Sequence, residues 1–407
     1  MKITIVVGSF PTVSETFIVN QIVSLIDKGH RVEIFSYVKS DLDKVHNIIK
    51  KYDLLNLVTY KSVIPQNKLK RLLKGIGWLF INFFKLDWFL VVKSLNFFTY
   101  GKKALNFELF YEAKWFLFKE KPAIIHVHFG VHAVPIANLK AKGFLSKSKL
   151  VVSFHGFDIN PSKIEFYKEH YKTLFNQVDS ITVNTIYTKN ILLKVNSELN
   201  NIHLLPVGLD IDLFKNLNRK RSKKFKIVYC GRLVPFKGSL LLPKILNELK
   251  RRGYKNIHLT IIGEGTLKQK LIEEIAKYKI SKSINLLGAV KQQEIVKIFS
   301  SSNVFLLPGV YEKDGRAENQ GLVIQEAQAM QLPVVVSDVG GMKYGLIPNE
   351  TGFVVKENDI SGFADALEFL MNNPEKAKIM GKKGREFVAE NYDAKILVQN
   401  LIEIYKS

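Results

Sequence analysis

Short apolar runs alternate with segments of helical periodicity along almost all of this chain, and this pattern constrains the fold most strongly. The runs are continuously apolar rather than alternating with polar residues, which is typical of strands buried on both faces. Helical segments separate most of them, as in parallel sheets covered by helices. The sequence therefore predicts a doubly wound α/β fold. The predicted strands are residues 3–7, 31–37, 123–128, 149–154, 180–184, 202–206, 226–230, 257–263, 284–288, 304–308, 333–338 and 352–355.

The length of 407 residues and a polar, basic run at 216–226 predict two such sheets. We expect an N-terminal Rossmann-like domain at 1–215 and a C-terminal Rossmann-like domain at 216–385. The last residues, 386–407, are predicted to be a helical segment that packs back on the first domain. Ligands bind at the carboxyl ends of parallel strands, so two facing sheets predict a site in the cleft between the domains.

Composition narrows the class of partner and the compartment. Sixty Lys and Arg residues against 37 Asp and Glu residues give a formal charge of +23, which favours nucleic acid, acidic lipid or phosphorylated ligands. The single cysteine, Cys230, excludes an internal disulfide or a cysteine-built zinc site. The apolar run at the N-terminus is too short for a signal peptide, which predicts a cytoplasmic location.

Three loops that follow predicted strands in the second half carry candidate ligand contacts. GRLVPFKG contains Gly231, Arg232 and Lys237, which combine close backbone approach with two cations suited to a diphosphate. An ordinary basic loop is the alternative. GEG, with Gly263 and Gly265, is either the border of a base or ribose or a plain turn. Val290 follows the next strand and is a candidate backbone contact to a base, with the same alternative.

The segment DGRAENQGLVIQEAQAM places Glu318 before a predicted helix and Glu326 inside it. Acidic residues that complement the helix dipole are the simplest interpretation. Two carboxylates beside a bound diphosphate would repel it unless they bind sugar hydroxyls. This argument assigns Glu326 to a ribose and Glu318 to a transferred sugar or its developing positive charge. Residues at the helix start are assigned to the same donor: Gln320, Gly321 and Leu322.

Candidate residues also follow strands in the first half of the chain. Gly8 ends the first strand, and Thr12 and Glu15 have the spacing of a capping box, with Ser14 as the alternative N-cap. Ser14 and Glu15 are assigned to the acceptor side of the cleft. Two histidines at neighbouring strand ends, His128 and His155, and the nearby Asp158 are assigned to the same region. A single histidine at a strand end is more often structural than catalytic.

These motifs together resemble the retaining GT-B glycosyltransferases of glycosyltransferase family four. The resemblance spans nearly the whole chain and rests on GRLVPFKG, GEG, ENQGLVIQE, PVVVSDVGGMKYGLIPNETGFVV and SFHGFD. The opening GSFPTVSETFI is similar to the subgroup that builds bacterial exopolysaccharide, capsule or lipopolysaccharide. The first loop has one glycine, Gly8, where many relatives have a pair.

The resemblance implies a nucleotide-sugar donor and a glycan acceptor, and it implies a role for several residues. Arg232 and Lys237 would hold the donor diphosphate, and Glu326 the ribose. Glu318 would meet the donor sugar and His155 would lie beside sugar and acceptor, which makes these two the catalytic candidates. Gly8 is assigned to the donor.

The same residues predict a metal-independent reaction without a cofactor. The cleft candidates contain no Asp-x-Asp motif, and Arg232, Lys237 and helix N–H groups could neutralise the leaving diphosphate instead. The residues alone leave two other functions possible. One is a catalytically silent sugar-nucleotide binder. The other is a nucleic-acid-binding protein, suggested by the charge, although no nucleic-acid recognition motif stands out and no nucleic-acid partner is predicted.

The segment between Lys68 and Lys121 interleaves aromatic residues with cations. Lys85, Asp87 and Lys93 break its apolar runs, so a membrane-spanning helix is not expected. Basic and bulky apolar residues suit a helix that lies in the headgroup region, and the family's usual polyprenyl-diphosphate acceptor lies there too. We predict peripheral binding to the anionic inner face of the cytoplasmic membrane. The alternative is that these aromatic residues pack the first domain's helices onto its sheet.

Overall fold

A computed structural model of the protein describes residues 1–12, 15–40, 47–214 and 224–407. The chain forms two parallel sheets of seven and six strands, and the predicted doubly wound α/β fold is confirmed. The strands of the first sheet are β1 (Lys2–Phe10), β2 (Arg31–Lys39), β3 (Val58–Tyr60), β4 (Ile124–His128), β5 (Lys149–Phe154), β6 (Ser180–Val183) and β7 (Ile202–Leu204). The strands of the second sheet are β8 (Phe225–Cys230), β9 (Ile257–Ile262), β10 (Ile284–Gly288), β11 (Val304–Leu307), β12 (Val334–Ser337) and β13 (Gly352–Val355).

Helices connect the strands and cover both faces of each sheet. Those of the first half are α1 (Thr16–Asp27), α2 (Asn47–Lys51), α3 (Lys68–Asn82), α4 (Trp88–Ser94), α5 (Phe97–Tyr100), α6 (Lys102–Leu105), α7 (Glu108–Ala113), α8 (Gly130–Ala141), α9 (Ile164–His170), α10 (Lys172–Gln177) and α11 (Ile186–Val195). Those of the second half are α12 (Leu242–Arg251), α13 (Lys268–Lys277), α14 (Gln292–Ser300), α15 (Leu322–Ala329), α16 (Ile360–Asn372), α17 (Pro374–Asn391) and α18 (Ala394–Lys406). None of the described helices is long and apolar enough to cross a bilayer.

The second sheet has the same topology as the first six strands of the first sheet, which adds β7 at one edge. The strand orders are β3-β2-β1-β4-β5-β6-β7 and β10-β9-β8-β11-β12-β13, and all pairings are parallel. The order reverses between β1 and β4 in the first sheet and between β8 and β11 in the second. Such reversal points leave a crevice at the carboxyl ends of the strands, where ligands bind in doubly wound folds. The loops after β8 and β11 therefore define the candidate site in the second domain.

Alternate residues of a buried strand point to opposite faces of the sheet, and β1 shows why its apolar run is continuous. Ile3, Ile5 and Val7 pack with α1 and α18 on one face, whereas Val6 packs in the cluster on the other face. Each of the twelve predicted strands is present, and β3 is an additional edge strand of three residues. Its residues are only partly buried or exposed, so it lacks the apolar run that marks the other strands.

The chain passes from the second domain back to the first near its C-terminus. α17 packs on the second domain, where the Arg385 guanidinium donates to the carbonyl of Ala329. α18 packs on the first domain, with Leu401 buried beside Ile3 and Ile5. The crossing lies at Tyr392 and Asp393 rather than at the predicted residue 386, which falls inside α17. The predicted joint at 216–226 lies mainly outside the described residues, and residues 225 and 226 belong to β8.

Candidate active site

Three glycine-containing loops lie side by side at the carboxyl edge of the second sheet. The Gly263 amide donates to the Gly288 carbonyl at 2.8 Å, and the Gly231 amide donates to Ile262 at 3.0 Å. A Cβ on Gly263 would lie 1.9 Å from the Gly231 carbonyl oxygen, and one on Gly265 would lie 2.4 Å from the Leu233 carbonyl oxygen. Side chains there would force the loops apart. Four predicted contacts, Gly231, Gly263, Gly265 and Val290, thus belong to one stretch of surface.

Lys237 and Glu318 form an ion pair beside these loops, with side chains only 12% and 13% exposed. Glu318 Oε1 also accepts a hydrogen bond from the Gly321 amide at 3.1 Å, where Gly321 occupies the N-cap position of α15 with φ +66°. Glu318 therefore complements the helix start, as the simplest interpretation of its position expects. It also neutralises the lysine assigned to the donor diphosphate, a contact that the sequence did not predict.

Glu326 lies on α15, and its electrostatic neighbours are Lys237 and Cys230. Burial raises the pKa of the Glu326 carboxyl to about 7, and Lys237 partly opposes this shift. Among the described residues the side-chain carboxyl of Glu326 has no hydrogen-bond or ion-pair partner. Its oxygens can therefore accept hydrogen bonds from a ligand such as a sugar diol.

Arg232 follows β8 directly and is exposed to solvent. Its guanidinium lies 5.8 Å from the ring centroid of Phe236, and its backbone carbonyl accepts a hydrogen bond from Tyr229 Oη at 3.2 Å. The backbone is thus held while the charged group remains accessible. This arrangement suits a cation that contacts an incoming anion.

The side-chain amide of Gln320 is bonded to the backbone of Val207, and its assignment as a donor contact stays a prediction. Its Oε1 accepts from the Val207 amide at 2.7 Å and its Nε2 donates to the Val207 carbonyl at 2.8 Å. The amide joins α15 to the segment that follows β7. Leu322 is the first residue of α15, and its partly buried side chain packs against the second-domain core.

In the first domain the structure brings His128 and His155 together. His128 Nδ1 and His155 Nε2 are 3.0 Å apart and the rings are stacked, with centroids 5.3 Å apart. Burial lowers the pKa of His155 to about 3 and holds that of His128 well below its usual value, so both rings are neutral near pH 7. Within the described residues His128 Nε2 and His155 Nδ1 are buried without a hydrogen-bond partner. They border a cavity of about 50 Å³, room for a water molecule or two.

A third histidine, His126, extends this cluster and was missed by the sequence reasoning. Its Nδ1 lies 2.7 Å from Tyr405 Oη on α18, and its Nε2 lies 2.7 Å from Ser153 Oγ. Its ring centroid is 4.5 Å from that of His128. The C-terminal helix is thus hydrogen-bonded to the interior of the first domain. The strand alternation that places residues 126 and 128 on one face was the available clue.

Asp158 has a structural role in the first domain, and its assignment to the acceptor side stays a prediction. Its carboxylate accepts hydrogen bonds from the amides of Gly130 (2.7 Å), His155 (3.0 Å) and Gly156 (3.0 Å), and its side chain is buried. Burial raises its pKa to about 6, against the lowering effect of these bonds. The carboxylate ties the start of α8 to the loop that carries His155.

The remaining predictions concern the loop after β1. A Cβ on Gly8 would lie 2.4 Å from His132 Nε2, so this glycine leaves room for an imidazole. Glu15 itself occupies the N-cap position of α1, and its side chain accepts from Thr12 Oγ1 at 3.3 Å. The predicted capping box is therefore wrong in its register, because the helix begins at Thr16. Ser14 lies outside the described residues.

Asn319 joins the two domains and is a second residue that the sequence reasoning missed. Its side-chain amide donates to the His155 carbonyl at 2.8 Å, although it lies between Glu318 and Gln320 on the other domain. A cleft of about 230 Å³ opens next to this contact, lined by Gly156, Tyr187 and Arg316 among others. The position of Asn319 directly beside Glu318, a predicted site residue, could have drawn attention to this amide.

Among the described residues no group of three or more His, Cys, Asp and Glu side chains has a geometry that could hold a metal ion. The polar groups that the structure brings to the cleft are instead cations, carboxylates, imidazoles and helix-start amides. Such groups bind phosphates and sugar hydroxyls.

Two family descriptions match the chain in succession. The family described as Glycosyltransferase Family 4 matches residues 14–213, and the one described as Glycosyl transferases group 1 matches residues 210–387. Similar proteins include the putative colanic acid biosynthesis glycosyltransferase WcaL of Salmonella typhimurium, 26% identical over 100% of both chains. The amylovoran biosynthesis glycosyltransferase AmsK of Erwinia amylovora is 28% identical over 99% of both chains.

Solved structures share the fold. Anabaena Alr3699/HepE in complex with UDP matches with a TM-score of 0.72 at 14% identity, covering 99% of each chain. A glycosyltransferase from Rickettsia africae matches with a TM-score of 0.69 at 19% identity, covering 100% of this chain and 97% of that one. With both halves of the architecture and both family descriptions present in order, the chain belongs to the family-four glycosyltransferases and has the GT-B fold.

Proposed function

We propose that this glycosyltransferase moves a sugar from a nucleotide-sugar to a growing bacterial surface glycan, with retention at the anomeric carbon. The observation that carries the proposal is the Lys237–Glu318 ion pair at the start of α15, with Glu326 on the same helix. In this proposal Lys237 provides a cation for the diphosphate, Glu326 a carboxylate for the ribose and Glu318 a carboxylate for the sugar. The backbone carbonyl of His155, on the other domain, accepts a hydrogen bond from Asn319, the residue next to Glu318.

The proposed chemistry is a transfer on one face of the sugar. The bond between the anomeric carbon and the diphosphate oxygen breaks, and the acceptor hydroxyl forms the new bond on the same face. The acceptor proton passes to the departing phosphate oxygen, and the nucleoside diphosphate leaves. Arg232, Lys237 and the amides at the start of α15 stabilise the charge on that diphosphate, which supports a metal-independent reaction. Glu318 stabilises the positive charge that develops on the sugar ring.

The names of the relatives support an extracellular polysaccharide as the product. WcaL is described as a colanic acid enzyme and AmsK as an amylovoran enzyme, and both match this chain along nearly their full lengths. We propose a polyprenyl-diphosphate-linked glycan as the acceptor, reached at the cytoplasmic face of the membrane. HepE is described in complexes with UDP and with UDP-glucose, which supports a nucleoside-diphosphate-sugar as the donor.

The surface of the first domain supports work at a membrane. Four aromatic residues of the segment 80–98 are almost fully exposed: Phe80 (76%), Phe84 (86%), Phe89 (74%) and Phe98 (88%). Lys85 lies among them, and Lys70, Lys74, Lys102 and Lys103 flank them, all exposed. Exposed aromatic rings beside lysines suit an anionic lipid headgroup region, where each lysine contributes about 1 kcal/mol.

Other aromatic residues of the same region pack inside the domain, as the alternative interpretation expects. Trp78 and Trp115 are partly buried against the core cluster, and Phe110 and Phe116 belong to it. Arg71 is buried too, with its guanidinium donating to the carbonyls of Pro65 and Asn106. It therefore does not contribute to the proposed membrane surface.

A thermal-shift screen of UDP-, GDP- and CMP-sugars and their free nucleotides tests the donor class, because a ligand that binds only the native state raises its stability. The stabilising donor is then incubated with membranes that contain lipid-linked glycan, and nuclear magnetic resonance determines the anomeric configuration of the product. Retention with a nucleoside-diphosphate-sugar supports the proposal. Inversion, or stabilisation by none of the nucleotides, would contradict it.

A further inference from the structure

Asn319 occupies the cleft between the domains, and all of its side-chain hydrogen-bonding capacity is used there. Its Nδ2 donates to the His155 carbonyl at 2.8 Å and to Asn184 Oδ1 at 2.6 Å. Its Oδ1 accepts from the hydroxyls of Thr185 at 2.6 Å and Thr188 at 2.8 Å. An amide offers two donor hydrogens and two acceptor lone pairs, so no capacity remains. Every one of these partners belongs to the first domain.

The orientation of this amide follows from its partners. The His155 carbonyl can only accept a hydrogen bond, which assigns the nitrogen to that side. Thr185 and Thr188, at the start of α11, then donate to the oxygen. An aspartate at this position would place an acceptor against the carbonyl, so the site distinguishes an amide from a carboxylate of the same size.

Two glycines from opposite domains make room for Asn319. A Cβ on Gly156, which has φ +95°, would lie 2.3 Å from Asn319 Nδ2. A Cβ on Gly341 would lie 1.8 Å from the Asn319 backbone oxygen. Gly156 thus allows close backbone approach to the side chain of Asn319, and Gly341 allows it to the backbone of Asn319. Such a fit requires the two domains to adopt one relative position.

Three consecutive residues connect the start of α15 to three parts of the molecule. Glu318 pairs with Lys237 within the second domain, Asn319 bonds to the first domain, and Gln320 bonds to Val207 between them. The residue beside the catalytic candidate Glu318 therefore holds the backbone of the other catalytic candidate, His155. The same amide therefore contacts the first domain next to both of these groups.

We propose that Asn319 is a positioning residue that latches the closed arrangement of the domains and thereby aligns Glu318 with His155. The latch itself rests only on the geometry, whereas its effect on turnover rests on the proposed function. The donor contacts Arg232, Lys237 and Glu326 all belong to the second domain and do not involve Asn319. Loss of the amide therefore impairs turnover while nucleotide binding persists.

The test compares Asn319→Ala with Asn372→Ala, a matched change of an exposed amide of the second domain that bonds to Tyr254. Small-angle X-ray scattering measures the radius of gyration of the full chain without ligand, about 22 Å for a compact protein of this length. Calorimetry with UDP and GDP measures nucleotide affinity. We expect Asn319→Ala to increase the radius of gyration and to reduce turnover at least about tenfold, with affinity changed less than threefold. Asn372→Ala should change none of these.

Thr188→Val removes one partner from the other domain at nearly constant volume and gives a second, independent variant. If the latch operates, Asn319→Ala combined with Thr188→Val should expand the protein little more than Asn319→Ala alone. A radius of gyration that is unchanged in Asn319→Ala, or fully additive effects of the two changes, would overturn the latch. Expansion in a protein that transfers no sugar would retain the latch and refute the proposed function instead.

Discussion

The ammonium group of Lys237 pairs with the carboxylate of Glu318 where α15 begins, and both side chains are largely buried. A diphosphate bound at this point would compete with Glu318 for the lysine. Glu318 would then be released toward the sugar at the moment when the donor arrives. If both assignments hold, this ion pair would link donor binding to the placement of Glu318.

Lys237→Ala and Arg232→Ala should both weaken binding of UDP or GDP, by roughly 1.5–3 kcal/mol each, because each removes a charge-assisted contact. Their effects on folding should differ. Lys237→Ala leaves the Glu318 carboxylate buried and unpaired, at a cost of up to about 3–5 kcal/mol, whereas the exposed Arg232 should change stability by about 0.5 kcal/mol or less. Calorimetry and urea denaturation measure the two quantities. Unchanged nucleotide affinity in both variants would refute the diphosphate assignment.

If Glu326 contacts the donor, binding should depend on pH, since burial raises the pKa of its carboxyl to about 7. The ionised form is the better acceptor for ribose hydroxyls, so affinity for a nucleotide-sugar should rise from pH 6 to pH 8. Glu326→Gln should remove this rise and weaken binding at pH 8. A pH dependence that is identical in the variant would show that another group titrates.

The raised pKa of the Glu326 carboxyl also predicts an effect of pH on the stability of the fold. A carboxyl whose folded-state pKa lies above its unfolded value disfavours the folded state as pH rises from about 4.5 toward 7. Glu326→Gln should therefore gain stability relative to the unmodified protein over this range, on the order of 1–3 kcal/mol by pH 8. Urea denaturation at pH 5 and pH 8, in the absence of nucleotide, measures the difference. A constant difference between the two proteins would contradict the raised pKa.

Asp158→Asn tests the structural role of that carboxylate. Three backbone amides donate to the Asp158 carboxylate, and in the variant one of them would face an NH₂ group. This should lower the free energy of unfolding by about 1–3 kcal/mol. Nucleotide affinity should be unchanged, because the proposed contacts Arg232, Lys237 and Glu326 lie on the other domain. Unchanged stability with a raised Michaelis constant for the acceptor would support the acceptor-side assignment instead.

The exposed aromatic segment should anchor the protein to membranes. We expect full-length protein to float with liposomes that contain anionic lipid at low salt, and to float less as salt rises. Replacing Phe84, Phe89 and Phe98 together by Ser should abolish flotation. Phe166→Ser, which alters an exposed aromatic residue of α9, is the matched control and should float normally. Protein that stays at the bottom of the gradient at low salt would refute membrane binding.

The sheets could be predicted from the sequence because strands buried on both faces leave continuous apolar runs, and β3 was missed because its three residues are not buried. Loops such as GRLVPFKG were located by their position after a strand. The roles of Asp158 and Gln320 could not be predicted in the same way. Their partners, Gly130 and Val207, are distant in sequence and meet them only in the fold.

The exposure of the aromatic residues could not be predicted from the sequence either. Trp78 is partly buried and Phe84 is exposed, although both lie in similar aromatic and basic sequence. After α3, the helices of that region span at most seven residues, so no helical period there distinguishes an inner from an outer face. The position of Asn319 beside Glu318 could have drawn attention to it, but its role could not be predicted because a single amide has no characteristic spacing.

The most direct test of the account is turnover and donor affinity measured side by side for Glu318→Gln. Release of nucleoside diphosphate from the donor identified by thermal shift gives turnover, and calorimetry gives affinity. Glu350→Gln, which alters an exposed carboxylate paired with Lys383 on the same domain, is the control. The account predicts that Glu318→Gln loses turnover by about 100-fold or more while donor affinity changes only a few-fold, since the carboxylate acts on charge that develops during transfer. Near-normal turnover in Glu318→Gln would contradict it and leave Glu318 as a residue that only stabilises the start of α15.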